Sequence, residues 1–300
     1  MIDVSIIIVS YNTKEILQRC LSSITEFTSG VSYEIIVVDN ASSDTTIEMV
    51  KSYFPNVILL KNKHNLGFGK ANNLGVKIAK GEYIFLLNSD TQFLNNAIPF
   101  FHEFMINFSI RNNIGMVGTE LLNSNFELTH SSDRFPVIWD IINRAFKIVK
   151  NKNNEIINNK NKDFYEVEYI TGANLFIKRS LFNDLGGFDE DYFMYYEETD
   201  LQYRISKKGF KRVLISGPII VHLQGKSFDG QIPLRKIAME YNGFFLYHKK
   251  NTNLIYYLLI RIFFITLRLP VVLLKTKTMN QFIGVVKIFF YNPKFHKLNL

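Results

Sequence analysis

The feature that most constrains this chain is a regular alternation across its first hundred or so residues. Short, β-branched apolar runs take turns with segments of helical spacing. Val4–Ser10, Glu34–Val38, Val57–Leu60 and Tyr83–Leu87 read as strands, and Lys14–Ser23, Thr45–Phe54, Gly69–Ala79 and Ala97–Asn107 read as helices. This alternation predicts βαβ units, and so an α/β fold with a mostly parallel central sheet flanked by helices. With 300 residues, 47% of them hydrophobic, the chain can bury at least one sizeable core.

In such sheets ligands bind beyond the carboxyl ends of the strands. Three of the predicted strands end in polar residues on that rim: Ser10-Tyr11-Asn12, Asp39-Asn40 and Asn88-Ser89-Asp90. Asp90, with Asn88 two residues earlier pointing the same way, is placed to hold a hard divalent cation through oxygen. It reads equally as a turn or helix-capping aspartate, because Asn-Ser-Asp-Thr is good turn chemistry. Asp39 either accepts from a ribose or a base, or starts a turn, and Tyr11 offers an aromatic face for a base. The stretch HNLGFGKANNLG lacks both the GxGxxG and the Walker spacing. Its Gly67, Gly69, Lys70 and Asn73 still suit a diphosphate at a helix N-terminus.

Beyond Ile114 the pattern loosens. IGMVGTELL reads as a strand, and EVEYITGANLFIKRSLF as strand, turn and helix start. The tract Lys150 to Lys162 is too polar to pack and reads as a surface loop or a linker. An acidic, aromatic cluster follows, GGFDEDYFMYYEETDLQYR. Glu198 and Asp200 fall in the first turn of a predicted helix, where capping alone would explain them. Walled by Phe193, Tyr195 and Tyr196, a carboxylate there would instead have a raised pKa and suit a general base. His222, in VHLQGKS, is either a packing residue or a ligand.

The composition changes after about Ser227, which suggests a catalytic unit over residues 1–230 and a helical segment over 231–300. Leu254 to Leu274 would measure about 31 Å as one helix, but Arg261 and Arg268 interrupt it and Pro270 would bend it. Arg261, Arg268 and Lys275 recur every seven residues, the stripe of an in-plane amphipathic helix. A core helix with snorkelling arginines is the alternative. The net charge of +8 is concentrated in the Asn/Lys tract and the C-terminal third, which favours an anionic membrane surface over nucleic acid. One cysteine, Cys20, excludes an internal disulfide framework. The opening MIDVSIIIVSYN lacks a basic leader and a cleavage site. The expectation is therefore a cytoplasmic protein, peripheral on the inner face of the cell membrane.

Taken in order, VSIIIVSYNT, EIIVVDNASSDTT, NLGFGKANNLG, GEYIFLLNSDT, TGANLFIKRSLFNDLGGFDEDYFMYYEETDLQYR and VHLQGKS resemble the GT-A-fold glycosyltransferases of family 2, in particular their rhamnosyltransferase-like branch. The likeness covers roughly residues 3 to 250 and includes EYNGFFLYHKK. It implies inverting transfer from a nucleotide-sugar donor to a glycan or polyprenyl-diphosphate-linked acceptor, with Mg2+ or Mn2+. By motif, Asp90 would be the metal ligand and His222 would complete the metal shell. Glu198 would be the base, with Glu197, Asp200 and Tyr196 around it or near the acceptor. Ser10, Tyr11, Asn12, Asp39, Asn65, Gly67, Lys70, Asn73, Asn88 and Ser89 would hold the donor. Two positions depart from the family pattern. Asn88 replaces an aspartate, which lowers the site's charge, and Glu198 replaces the commoner aspartate, which lengthens the reach of the base.

Overall fold

The computed structural model describes residues 2–137, 163–223 and 234–291. Its first half follows the alternation: β1 (Val4–Ser10), α1 (Lys14–Phe27), β2 (Tyr33–Asp39), α2 (Thr46–Tyr53), β3 (Ile58–Lys61), α3 (Phe68–Ile78), β4 (Tyr83–Asn88), β5 (Thr91–Phe93) and α4 (Ala97–Asn112). Then come β6 (Ile114–Leu122), β7 (Ser132–Asp133), β8 (Phe164–Val167), β9 (Tyr169–Ile170), β10 (Asn174–Lys178), α5 (Arg179–Asp184), α6 (Glu197–Lys207) and β11 (Lys211–His222). Four C-terminal helices close the described chain: α7 (Leu234–Asn251), α8 (Leu254–Leu267), α9 (Leu269–Leu273) and α10 (Met279–Tyr291).

The main sheet runs β3-β2-β1-β4-β10-β6-β11-β5, with β8 also on β11. β3, β2, β1 and β4 are mutually parallel. Beyond them the sheet is mixed, because β10 is antiparallel to both β4 and β6, whereas β11 is parallel to β6. Period-two alternation explains why the strand sequences look continuously apolar. Ile6 and Ile8 enter a core with Leu17 and Leu21 of α1 and Phe101 of α4, while Ile7 faces Ala71 and Val76 of α3. Each such fully buried side chain contributes about 1.5–3 kcal/mol relative to exposure. The parallel register aligns Ser10 with Asp39 and Val9 with Asn88, so the three polar strand ends lie on one rim.

The C-terminal helices form a third core around Phe244, Phe245, Phe264, Val285 and Phe289. Phe193, Met194, Tyr195 and Tyr196 pack against it. Leu254 to Leu274 is not one helix. It breaks at Arg268 (φ −107°), with Pro270 in the first turn of α9. The expected basic stripe does not form. Arg261 turns inward, 4.6 Å from the centre of the Phe245 ring, with Nη1 donating to Tyr257 Oη at 3.2 Å, because a guanidinium sandwiched by rings is held better there than in an interrupted surface row. The outward face of α8 is instead apolar: Leu254, Ile255, Leu258, Leu259 and Ile262 are exposed. Among the described residues no helix is long and apolar enough to cross a membrane. The expected boundary at residues 230 and 231, the tract Lys150 to Lys162, and Gln224 to Ser227 of the VHLQGKS motif lie outside the described residues.

Candidate active site

The rim is tied together by its loops. Asn12, at positive φ (54°), accepts from the Ser43 amide at 2.7 Å, and its own amide donates to Ser42 Oγ at 2.9 Å. This locks the loop after β1 to the loop after β2. Ser10 Oγ lies 2.9 Å from Thr13 Oγ1, which reaches Ser89 Oγ at 3.4 Å. Tyr11 remains half exposed beside them. Asp39 is 1% exposed: Oδ2 accepts from the Ser42 amide at 3.1 Å, while Oδ1 is buried without a hydrogen-bond partner. A buried carboxylate oxygen without a donor is costly unless a ligand supplies one.

β4 ends at Asn88, and a tight turn carries the chain through Ser89 and Asp90 into β5. β5 pairs with the end of β11, aligning His222 with Thr91, and Leu223 N–H donates to the Asp90 carbonyl at 2.9 Å. That pairing sets His222 Nε2 3.1 Å from Asp90 Oδ1, with both side chains largely buried. His222 Nδ1 is buried without a partner. Among the described residues no group of three His, Cys, Asp or Glu side chains is assembled to hold a metal ion. One carboxylate oxygen and one imidazole nitrogen 3.1 Å apart nevertheless supply donor types that fit part of a divalent shell, which diphosphate oxygens and water would complete.

The HNLGFGKANNLG stretch is more structural than the sequence suggests. Asn40, which sequence reasoning passed over, is its hub. Its side chain donates to Asn65 Oδ1 (2.9 Å) and the Gly67 carbonyl (3.1 Å), and accepts from Leu66 N–H (2.9 Å) and Asn62 Nδ2 (3.0 Å). Asn65 Oδ1 also accepts from the Gly67 amide at 2.9 Å. Gly67 has φ +86°, and a Cβ there would meet the Phe193 carbonyl oxygen at 2.1 Å. Asn73 spends its amide on both backbone groups of Phe188, and Lys70 pairs with Glu190 at 2.9 Å. Asn65, Gly67, Lys70 and Asn73 thus join α3 and its preceding loop to the acidic segment.

Glu197 and Glu198 open α6, Glu197 buried and Glu198 half-buried at the wall expected from the sequence. Burial raises the pKa of each. For Glu197 the neighbouring Glu198 charge adds to the rise, whereas the backbone amides of Glu198, Thr199 and Tyr196 draw Glu198 back down. Burial and the adjacent carboxylate thus both oppose charging the two groups together. Glu198 packs on Gly172, whose neighbour Ala173 accepts from the Asn88 amide at 3.1 Å, so the glutamate is linked through this turn to the end of β4. Asp200 is fully engaged: Arg204 Nε donates to Oδ2 at 2.8 Å and Asn251 Nδ2 to Oδ1 at 2.9 Å. Gln202, four residues after Glu198, clamps both backbone groups of Ile170 at 2.7 Å and donates to the Glu198 carbonyl at 3.2 Å. Its i,i+4 spacing from Glu198 was the available signal.

A half-parallel sheet with carboxylates gathered at its strand ends is the architecture of the GT-A glycosyltransferases. The chain belongs to glycosyl transferase family 2, whose profile matches residues 5–186, more than half its length. It is similar to the N-acetylglucosaminyl-diphospho-decaprenol L-rhamnosyltransferase of Mycobacterium tuberculosis (strain CDC 1551 / Oshkosh), 25% identical over 271 residues that cover 81% of this chain and 82% of the relative. Two solved structures share the fold. Staphylococcus aureus TarS 1–349 is 17% identical with a TM-score of 0.58, over 97% of this chain and 81% of that one. GalNAc-T7 with UDP, GalNAc and Mn2+ is 18% identical with a TM-score of 0.62, over 83% of this chain and 48% of that longer one. Glu198 and His222 lie beyond the family-matched interval.

Proposed function

We propose that the protein moves a sugar, L-rhamnose from dTDP-rhamnose, to a glycan or polyprenyl-diphosphate-linked acceptor in cell-surface polysaccharide synthesis, with inversion. The observation that carries this is the Asp90–His222 pair, 3.1 Å apart on the rim where β1, β2 and β4 end. The mycobacterial relative, named for transferring L-rhamnose to a decaprenyl-diphosphate-linked sugar, supports the choice of donor and acceptor. In this reading Asp39 Oδ1 accepts from the nucleoside and Tyr11 offers its ring face. Ser10, Asn12 and Ser89 line the donor, with Asn88 beside them. Asp90 and His222 would hold Mg2+ or Mn2+, which when bound stabilises the departing diphosphate as a Lewis acid.

Glu198 takes the proton from the acceptor hydroxyl as the new C–O bond forms at the anomeric carbon and the bond to the diphosphate breaks. A positioned base of this kind contributes about 10²–10⁴-fold. Glu197 beside it, its pKa pushed well up by burial and by the Glu198 charge, resists adding a second charge to the site. Leu254, Ile255, Leu258, Leu259 and Ile262 would lie on an anionic membrane surface, with the exposed Lys275, Lys277 and Lys287 nearby.

The test is transfer itself: purified protein, dTDP-rhamnose, a polyprenyl-diphosphate-linked N-acetylglucosamine, and Mn2+ or EDTA. Metal-dependent formation of a product whose anomeric configuration is opposite to the donor's is expected, and no product from any of several nucleotide sugars would overturn the reading. A non-catalytic nucleotide-sugar-binding protein is the rival, motivated by Asn88 at the place of an aspartate. Donor binding with neither transfer nor hydrolysis would establish it.

A further inference from the structure

Immediately before the paired glutamates, two successive residues adopt the left-handed conformation: Tyr195 at φ +70° and Tyr196 at φ +71°. A left-handed tyrosine is strained, and a tandem pair persists only where the surroundings over-determine it. The determinant is α7. A Cβ built on Gly243 would meet the Tyr195 carbonyl oxygen at 2.4 Å and Tyr196 Cδ2 at 3.1 Å, so only glycine lets the helix come this close. One and four residues further along the helix, Phe244 and Tyr247 meet the Tyr196 ring at 5.8 Å and 6.1 Å.

At the end of the same helix, Lys250 Nζ bonds Asp189, reaches Asp191 at 2.8 Å and lies 5.8 Å from the centre of the Tyr192 ring. Asn251 holds Asp200. The segment 189–200 is thus gripped by α7 at its start, its strained middle and its end. Tyr196 is also the N-cap of α6, its carbonyl accepting from the Asp200 amide at 2.8 Å, so its backbone conformation sets the first turn that carries Glu198.

We infer that Gly243 is a positioning residue: by admitting α7 against the Tyr195 carbonyl, it fixes the left-handed pair that aims Glu198, with Lys250 latching the same seam. The C-terminal helices therefore belong to the chemistry as well as to the surface they expose. This rests on Glu198 being the base. A displacement near 1 Å at a reacting group costs on the order of 10²-fold, and the rim residues Ser10 and Asn12 are held by contacts among their own loops.

The test compares Gly243→Ala and Lys250→Met in the full chain, measuring kcat for transfer and, by calorimetry, the affinity for dTDP with Mn2+. The expected result is a fall in kcat of at least about 30-fold for Gly243→Ala and about 3-fold for Lys250→Met, with nucleotide affinity unchanged within about twofold. If Gly243→Ala does not fold, the half-exposed Lys250→Met decides alone. Wild-type kcat, or nucleotide affinity falling in step with kcat, overturns the inference. Glu198→Gln run in parallel separates the two claims. Full turnover in that variant removes the base itself, whereas a dead Glu198→Gln beside a fully active Gly243→Ala removes only the role of the helix.

Discussion

His222 Nε2 lies 3.1 Å from Asp90 Oδ1 although 131 residues separate them along the chain, because the three-residue strand β5 pairs with the far end of β11. The two side chains meet only through that pairing. Asp90→Ala should weaken Mn2+-supported nucleotide binding by at least about tenfold, and His222→Ala by a similar order, with EDTA abolishing the difference between variants and wild type. Calorimetry with dTDP, with and without Mn2+, measures this. Identical metal titrations in wild type and Asp90→Ala would remove the metal role.

The adjacent glutamates separate cleanly. Glu198→Gln should lose about 10²–10⁴-fold in kcat with nucleotide affinity intact. Glu197→Gln, which keeps the shape and removes the neighbouring ionisable group, should retain most of its activity. Because burial holds Glu198 above the usual carboxylate range, activity rises with pH as that group ionises, and the acidic limb of the profile should sit above the ordinary glutamate value. A limb at the ordinary value would place the base elsewhere.

His248 is buried among the rings of Phe244, Tyr247 and Tyr256, with neither nitrogen hydrogen-bonded, and desolvation pushes it down to about 4. Its folded pKa lies below its unfolded value, so protonation favours the unfolded chain. The stability it leaves intact above about pH 6.5 is lost as pH falls toward 4, by about 3 kcal/mol in all. Thermal melts of His248→Phe between pH 7.5 and 4.5 should show a shallower decline than wild type. Parallel curves would contradict the assignment.

Gly67 is where the loop before α3 meets the acidic segment. Gly67→Ala combines a left-handed φ with a 2.1 Å approach to the Phe193 carbonyl, so it should cost more than about 1 kcal/mol and lower Tm by at least about 3 °C. An unchanged Tm would show that the loop adapts freely.

The outward face of α8 makes a separate forecast. Leu258→Glu with Ile262→Glu changes only exposed positions, so Tm should hold within about 2 °C. Co-flotation with anionic liposomes should fall at least about fivefold. Flotation equal to wild type would remove the lipid-facing assignment.

Eight of the first nine elements, all but β5, were legible because parallel strands buried on both faces announce themselves as apolar runs, and the polar residues that end them stand out by contrast. β6 was readable for the same reason. β11 was not, because Ser216-Gly217-Pro218 interrupts it at a bulge and hides a twelve-residue strand behind turn chemistry. The seven-residue spacing of Arg261, Arg268 and Lys275 misled because spacing assumes a continuous helix, and Arg268 sits outside both α8 and α9. The roles of Asn40 and Asn73 depend on which backbone groups the fold leaves in need of partners, and no local pattern carries that information.

The break at Arg268 also limits how the molecule can live beside lipid. It divides the apolar surface into helices of 14 and 5 residues, followed by one of 13, each below the roughly 20 needed to thread a bilayer. Under the proposed lipid contact, these described helices would lie along the surface rather than cross it, and binding would answer to ionic strength and headgroup charge.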